Sequence, residues 1–149
     1  IIGAGLIGLK CAEGLAERVK KITVCDLAQK VMPSILDDDA AEAVKSRLEA
    51  AGIELMLGDT AARFEGSKAI MRSGAEVEFD VLVIAVGVRP NISIFKNAGG
   101  ECGRAITVDS HMRTSNTDIF AAGDCTGQPL QVAKAVGEGC IAAISAAAN

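Results

Sequence analysis

The chain predicts an α/β fold: a Rossmann-like parallel sheet made of βαβ units, with a small antiparallel meander as one crossover. Three observations predict it. The first is a β-branched start that runs directly into Gly-x-Gly-x-x-Gly, Ile1-Ile2-Gly3-Ala4-Gly5-Leu6-Ile7-Gly8. The second is the order of the next two elements, an apolar stripe at helical spacing and then a short strand-like run. The third is the continuous apolar run Val81-Leu82-Val83-Ile84-Ala85-Val86, which ends at Gly87 and reads as a central parallel strand buried on both faces.

In the opening turn each glycine has a separate reason. Gly3 permits the tight passage from strand to helix. Gly5 lets the backbone approach a pyrophosphate, and Gly8 lets the helix lie close to the sheet. An anion placed there meets unpaired N–H groups and the positive end of the helix dipole. Leu6, Leu9, Ala12, Leu15 and Val19 then recur at three- and four-residue spacing, and Ile22-Thr23-Val24-Cys25 forms a second strand. Asp26 closes that strand eighteen residues after Gly8, close to the ~20-residue offset of the carboxylate that accepts from an adenosine ribose 2′-OH. A carboxylate there repels a 2′-phosphate, so NAD(H) is favoured over NADP(H). The competing reading of Asp26 is a strand-end cap; turn, helix, strand and acid in this order favour the nucleotide.

Residues 27–36, with Pro33, read as a linker. Asp37, Asp38 and Asp39 then open a helix expected from about Asp38 to Ala51, with Ala41, Val44, Leu48 and Ala51 facing inward and Gly52 as its stop. A triple aspartate could also hold a metal, but acids in a first helical turn complement the dipole and need no further role. Residues 53–57 form a third strand. Residues 59–79 break into short segments at Glu65-Gly66-Ser67 and Ser73-Gly74-Ala75, the pattern of a meander. Residues 3–8, Asp26 and Gly87 then share the carboxyl edge of the sheet, where open α/β sheets bind ligands. The last third repeats the theme. A polar turn at 114–118 precedes a short strand at 119–122. Gly123-Asp124 ends it, and helical spacing resumes at Val132, Val136, Cys140 and Ile144.

Composition excludes several classes. The net charge is −4, and the chain has four Phe but no Trp or Tyr, which leaves no electrostatic or stacking basis for binding nucleic acid. No apolar run approaches the ~20 residues of a membrane span. The five cysteines form no C-x-x-C pair and suit a reducing, cytoplasmic setting. His111 is the single histidine, so no metal site is expected. The chain opens on Ile1 rather than Met and reads as an excised fragment in which a signal peptide cannot be judged.

Four motifs in order now carry a resemblance: GAGLIG at 3–8, Asp26 after ITVC, DVLVIAVGVRPN at 80–91 and TSNTDIFAAGDC at 114–125. Together they resemble the pyridine nucleotide–disulfide oxidoreductase superfamily of two-dinucleotide flavoproteins. VMPSILDDDAAEAV and VGVRPN resemble the NADH oxidase, nitrite reductase and ferredoxin or rubredoxin reductase branch; the tail VAKAVGEGCIAAISA also resembles thioredoxin reductase.

The resemblance implies an NAD(H)-binding domain at 1–95, with the meander at about 60–79. Residues 96–149 would be a linker, a hairpin and the C-terminal strand–helix piece of an incomplete FAD domain. It implies that Gly3, Gly5, Leu6, Ile7, Gly8 and Asp26 hold NAD, with Ala85, Val86 and Gly87 lining the same groove. Gly123 and Asp124 would meet the ribityl chain of FAD. Hydride would pass from NADH to flavin and on to an unidentified electron acceptor, with a homodimer possible.

The chain departs from the family pattern in three ways. The family's FAD glycine turn is absent, so tight FAD binding by these residues alone is not expected, and the strand at 119–122 would pack on the NAD domain, pair with another chain or be poorly ordered. No redox cysteine pair is present, and Cys125 reads as a small turn residue rather than a redox thiol. Lys10 stands where relatives carry a Glu near the nicotinamide, with Glu13 a turn away, and no catalytic residue is assigned. Two other classes stay open. A non-enzymatic NAD(H) sensor needs only the first site. A flavin-free NAD-dependent dehydrogenase needs an acid/base that His111 is poorly placed to supply.

Overall fold

The β-branched run Ile22-Thr23-Val24 favours extended backbone and forms β1 (Ile22–Asp26). The computed structural model describes residues 1–148, which divide into one unit, Ile1–Gly87, and a second that begins at Val88. In the first unit β1 pairs in parallel with β2 (Ile53–Leu57), from Ile22 opposite Ile53 to Asp26 opposite Leu57. On the other side of β1, Cys25 bridges Ile2, and Ile2 bridges Ile84, both in parallel. Across the sheet the chain therefore runs third, second, first and fourth extended segment, the order of a doubly wound sheet.

Alternation along β1 sorts its side chains into two layers. Ile22 and Val24 join Ala4, Leu9, Ala12, Val31, Ala41 and Ile53 beneath α1 (Leu6–Leu15) and α2 (Asp38–Ala50). Cys25 faces the other way, against Ile2, Ala69 and Met71. That face is covered by a three-stranded antiparallel sheet, β3 (Ala61–Glu65), β4 (Lys68–Met71) and β5 (Glu76–Glu78). The expected meander is therefore the layer that covers the second face. The aspartate run starts α2: the Asp37 carboxylate accepts from the Ala40 amide at 2.8 Å, and Gly52 ends the helix at φ +79°.

Several expectations are corrected. The run 81–86 is not buried on both faces. Ile84 bridges Ile2, and Val81, Ile84 and Val86 are 68, 60 and 69% exposed. Among the described residues the segment pairs on one side only, through Ile2, and within it Leu82 packs on the meander side. The α1 stripe breaks at both ends: Leu6 is exposed in the first turn, and the helix stops at Leu15, leaving Val19 outside it. Ala51 is exposed because it is the C-cap, at φ −82° and ψ 4°, off the helical face it was expected to share.

In the second unit Phe95, from α3 (Ser93–Asn97), packs with Ile106 and Ala121. The strand expected at 119–122 is reduced to one bridge, Phe120 to Arg113, within its own unit. The unit ends in α4 (Val132–Ala147). Its apolar spacing marks the outward face, since Val132, Val136, Cys140 and Ile144 are all exposed. Ser145 is buried, and Lys134 and Glu138 are partly buried. Helical period identifies a face but not its direction, and here small and paired polar residues occupy the inner one. No helix among the described residues is long and apolar enough to cross a membrane.

Candidate nucleotide site and a second glycine–aspartate turn

Gly3 sits at φ +110°, and a Cβ there would collide with the backbone carbonyl of Ala85. A Cβ on Gly8 would collide with the carbonyl oxygen of Gly3. Both glycines are therefore required by the fold itself. Gly5 is different: a Cβ there would meet nothing within 4 Å, so no protein atom demands a glycine. Open space at this position is what an approaching pyrophosphate needs. Gly5 is also the N-cap of α1 and offers no side-chain cap. Among the described residues the amides of Leu6, Ile7 and Gly8 find no acceptor. Free N–H groups at the positive end of a ten-residue helix suit an anion.

Asp26 is fixed from two sides. Its Oδ2 accepts from the Ala4 amide at 2.7 Å, and its Oδ1 accepts from the Ala28 amide at 2.8 Å. Each oxygen keeps capacity for a further donor such as a ribose hydroxyl. The stretch 27–36 is not a passive linker. The Met32 amide donates to the Ala4 carbonyl at 2.8 Å, Met32 takes φ +47°, and Val31 is fully buried. This loop folds back onto the glycine turn and helps to shape its rim. Lys30 anchors it through Asp38 at 2.7 Å and the Leu36 carbonyl at 3.0 Å. The hydrogen bond and charge of Lys30 hold the Asp38 carboxyl below its ordinary value.

Gly3, Gly8 and Ala85 thus come into contact, and Asp26 joins them through Ala4. The Ala85 amide donates to the Ile2 carbonyl at 2.7 Å, and Val86 and Gly87, at φ +93°, continue beyond it. Leu6 and Ile7 are exposed on the first turn of α1. Lys10 points along the helix surface to Glu13, 2.6 Å away. The residues present fit a dinucleotide's pyrophosphate and ribose: an open glycine, free helix amides and an anchored carboxylate.

The second turn lies in the other unit. Gly123, at φ +88°, leads into a three-residue 3₁₀ turn, Asp124–Thr126, and Gly127 comes next at φ +101°. Asp124 is exposed, and its carboxylate makes no hydrogen bond among the described residues. It is an available acceptor for a ligand hydroxyl. The sequence reading missed the groups that hold this turn, namely Lys134 and Glu138 on α4, 3.0 Å apart. Their i, i+4 spacing after Gly-Asp was the available signal. Burial opposes the charge on Glu138, but hydrogen bonds from Thr126, Lys134 and the Gly123 amide outweigh it and lower its pKa. Cys125 donates its thiol to the Ala122 carbonyl at 3.3 Å. Cys25 is buried, which pushes its thiol up. His111 is exposed beside Ser110.

Known proteins resemble this chain over most of its length. The profile of the family described as pyridine nucleotide-disulphide oxidoreductase matches residues 1–139. NADH oxidase from Methanocaldococcus jannaschii is 40% identical over 129 residues, 84% of this chain and 29% of that protein. The solved structure of water-forming NADH oxidase from Lactobacillus brevis, bound to NADH, matches with TM-score 0.90 at 28% identity, over 97% of this chain and 35% of that one. An engineered variant of that enzyme, a water-forming NADPH oxidase bound to NADPH, matches with TM-score 0.86 at 27% identity, over 94% and 34% of the two chains. The chain spans well under half the length of these relatives. With the profile covering nearly all of it, this chain belongs to the pyridine nucleotide-disulphide oxidoreductase family.

Proposed function

We propose that this chain is the NAD(H)-binding portion, at residues 1–95, of an FAD-dependent oxidoreductase, followed by part of the FAD-binding domain at 96–149. The observation that carries the reading is the pairing of an open Gly5 with an Asp26 carboxylate locked by the Ala4 and Ala28 amides. When bound, NADH would supply a hydride and FAD would accept it for delivery to an acceptor. The chain's own residues bind and orient. The amides of Leu6, Ile7 and Gly8 hold the pyrophosphate, Asp26 holds the adenosine ribose, and Ala85, Val86 and Gly87 line the groove. Gly123 and Asp124 offer an acceptor to a hydroxyl of the flavin's ribityl chain. The free cysteines suit a reducing compartment such as the cytoplasm.

The engineered relative supports the choice of NADH over NADPH. Its exchanges include a glycine, an aspartate and a proline whose spacings equal those of Gly8, Asp26 and Pro33. In that NADPH-bound protein the aspartate is replaced by alanine. A carboxylate retained at Asp26 therefore favours a free 2′-hydroxyl.

Calorimetric titration with NADH and separately with NADPH tests the reading. Saturable NADH binding, with NADPH at least about tenfold weaker, is expected from one charged hydrogen bond gained or one like-charge contact avoided. Equal or stronger binding of NADPH would overturn the role given to Asp26.

A further inference from the structure

The turn around Asp124 has little of its own to hold it. Its internal backbone bonds are the Thr126 amide to the Gly123 carbonyl at 3.0 Å and the Gly127 amide to the Asp124 carbonyl at 3.1 Å. Two glycines at positive φ flank it, and neither resists other conformations in the way a larger residue would. From outside, the Ile106 amide donates to the Cys125 carbonyl at 2.8 Å, and the grip on Gly123 comes from α4. Glu138 Oε2 accepts from the Gly123 amide at 2.8 Å, and Lys134 Nζ donates to the Gly123 carbonyl at 3.0 Å. One residue is thus gripped at its donor and its acceptor by two side chains a helical turn apart. The Thr126 hydroxyl completes the cluster. It lies 2.8 Å from Glu138 Oε2 and 2.7 Å from the Gly123 carbonyl, either of which can take its single proton. It also accepts from Lys134 Nζ at 2.7 Å.

We propose that Lys134 and Glu138 are positioning residues that hold the Gly123 peptide so that Asp124 presents a lone carboxylate to a neutral polyol. The proposal rests on the reading of Asp124 as a contact of the FAD ribityl chain and adds what holds that carboxylate in place. The Gly123 amide is taken by a carboxylate. Lys134 and Glu138 have side chains 15 and 17% exposed and cancel each other's charge. Asp124 keeps its own negative charge with no partner among the described residues. The Asp124 carboxylate is therefore an open acceptor for a hydroxyl, held in place by the grip on the peptide before it.

The test uses the protein expressed from its natural gene, with Asp124→Ala, Glu138→Ala and the double variant Lys134→Gln/Glu138→Gln. FAD affinity, NADH affinity and hydrogen exchange at the Gly123 amide are measured in each. Asp124→Ala and Glu138→Ala should each weaken FAD by about tenfold or more, as expected for a hydrogen bond to a charged group. NADH affinity should stay unchanged. Exchange at Gly123 should accelerate in Glu138→Ala and not in Asp124→Ala. The double Gln variant keeps hydrogen-bonding groups in both places without the charges, and it should recover most of the FAD affinity. If Asp124→Ala retains FAD, the reading of Asp124 falls and this proposal with it. If Asp124→Ala loses FAD while Glu138→Ala keeps both FAD and slow exchange at Gly123, the reading stands and the positioning role is refuted. Should Glu138→Ala also lose NADH, the double variant decides: recovery of FAD supports the pair, and failure to recover overturns it.

Discussion

At residues 3–8 the backbone itself excludes other arrangements: Gly3 lies against the Ala85 carbonyl, Gly8 against the Gly3 carbonyl, and Asp26 is tied to Ala4. At residues 123–127 nothing comparable presses on the chain. A Cβ on Gly123 would stand 3.4 Å from the Ala135 methyl, an ordinary contact, and the turn is held by Lys134 and Glu138 from α4. Both places end in a glycine and an aspartate near a helix, yet one is set by steric exclusion and the other by charged hydrogen bonds. Steric exclusion is indifferent to pH and cannot be restored by a second substitution. A charged network responds to both. The first turn's strongest constraints are therefore its glycines, and the second turn's are polar residues remote in sequence.

The largest effect is expected where exclusion is strongest. Gly3→Ala would place a Cβ against the Ala85 carbonyl at a φ that L residues disfavour. Backbone strain and overpacking of this kind each cost about 1–3 kcal/mol. Urea unfolding should show the first unit destabilised to that extent, and calorimetry should show NADH binding lost. Near-native stability with intact affinity would mean that the turn is softer than the contacts imply. Asp26→Ala comes next. It removes the ribose acceptor and leaves the Ala4 and Ala28 amides without their partner. NADH affinity should fall about tenfold or more, and the preference for NADH over NADPH should shrink. An unchanged preference would return Asp26 to the role of a strand-end cap.

The charged turn should show its nature in acid. Hydrogen bonds from Thr126, Lys134 and the Gly123 amide overcome burial and depress the Glu138 pKa below its ordinary value of 4.5. A carboxylate depressed by folding adds stability above the unfolded pKa, and that stability is lost as pH falls through the folded one. The second unit should therefore weaken below about pH 4.5. Asp109 adds to the same trend, because hydrogen bonds from the Arg113 and His111 amides lower it too. Unfolding monitored against pH should be less acid-sensitive in Glu138→Gln, although that variant is less stable near neutrality. Identical pH profiles would show that the network contributes no linkage.

Much of the fold and of the first site was legible in the sequence, and the parts that were not have a physical cause. The glycine spacing, the helix start at Asp37 and the meander breaks at Gly66 and Gly74 are local, and each appears where the residues require it. Burial was less legible. The run at 81–86 has the composition of a two-faced strand, but composition does not say whether a second strand or layer reaches it, and its outward side chains are exposed. On α4 the apolar spacing marks a helix, while its direction depends on the Lys134–Glu138 pair, whose partners Gly123 and Thr126 lie eight to fifteen residues upstream. The loop at 27–36 looked like a linker because the interactions that order it, the Ala4 carbonyl at Met32 and the burial of Val31, involve no motif.

Lys10 provides the smallest and most discriminating comparison. The family resemblance puts a glutamate at this place near the nicotinamide, whereas here Lys10 pairs with Glu13 on the surface of α1, with side chains 69 and 68% exposed. Exposed pairs of this kind contribute about 0–1 kcal/mol, so Lys10→Ala should leave the unfolding midpoint nearly unchanged. Lys10→Glu would set two acids three residues apart and cost a further ~0.2–0.5 kcal/mol. If Lys10 is a helix surface residue, neither change alters NADH affinity. The pyrophosphate and ribose contacts at residues 3–8 and Asp26 would then account for binding without it. A loss of NADH affinity beyond about tenfold, roughly 1.4 kcal/mol, with stability intact would exceed anything the Glu13 pair can supply. It would place the Lys10 ammonium on the cofactor, and the first turn would then depend on charge as the second does.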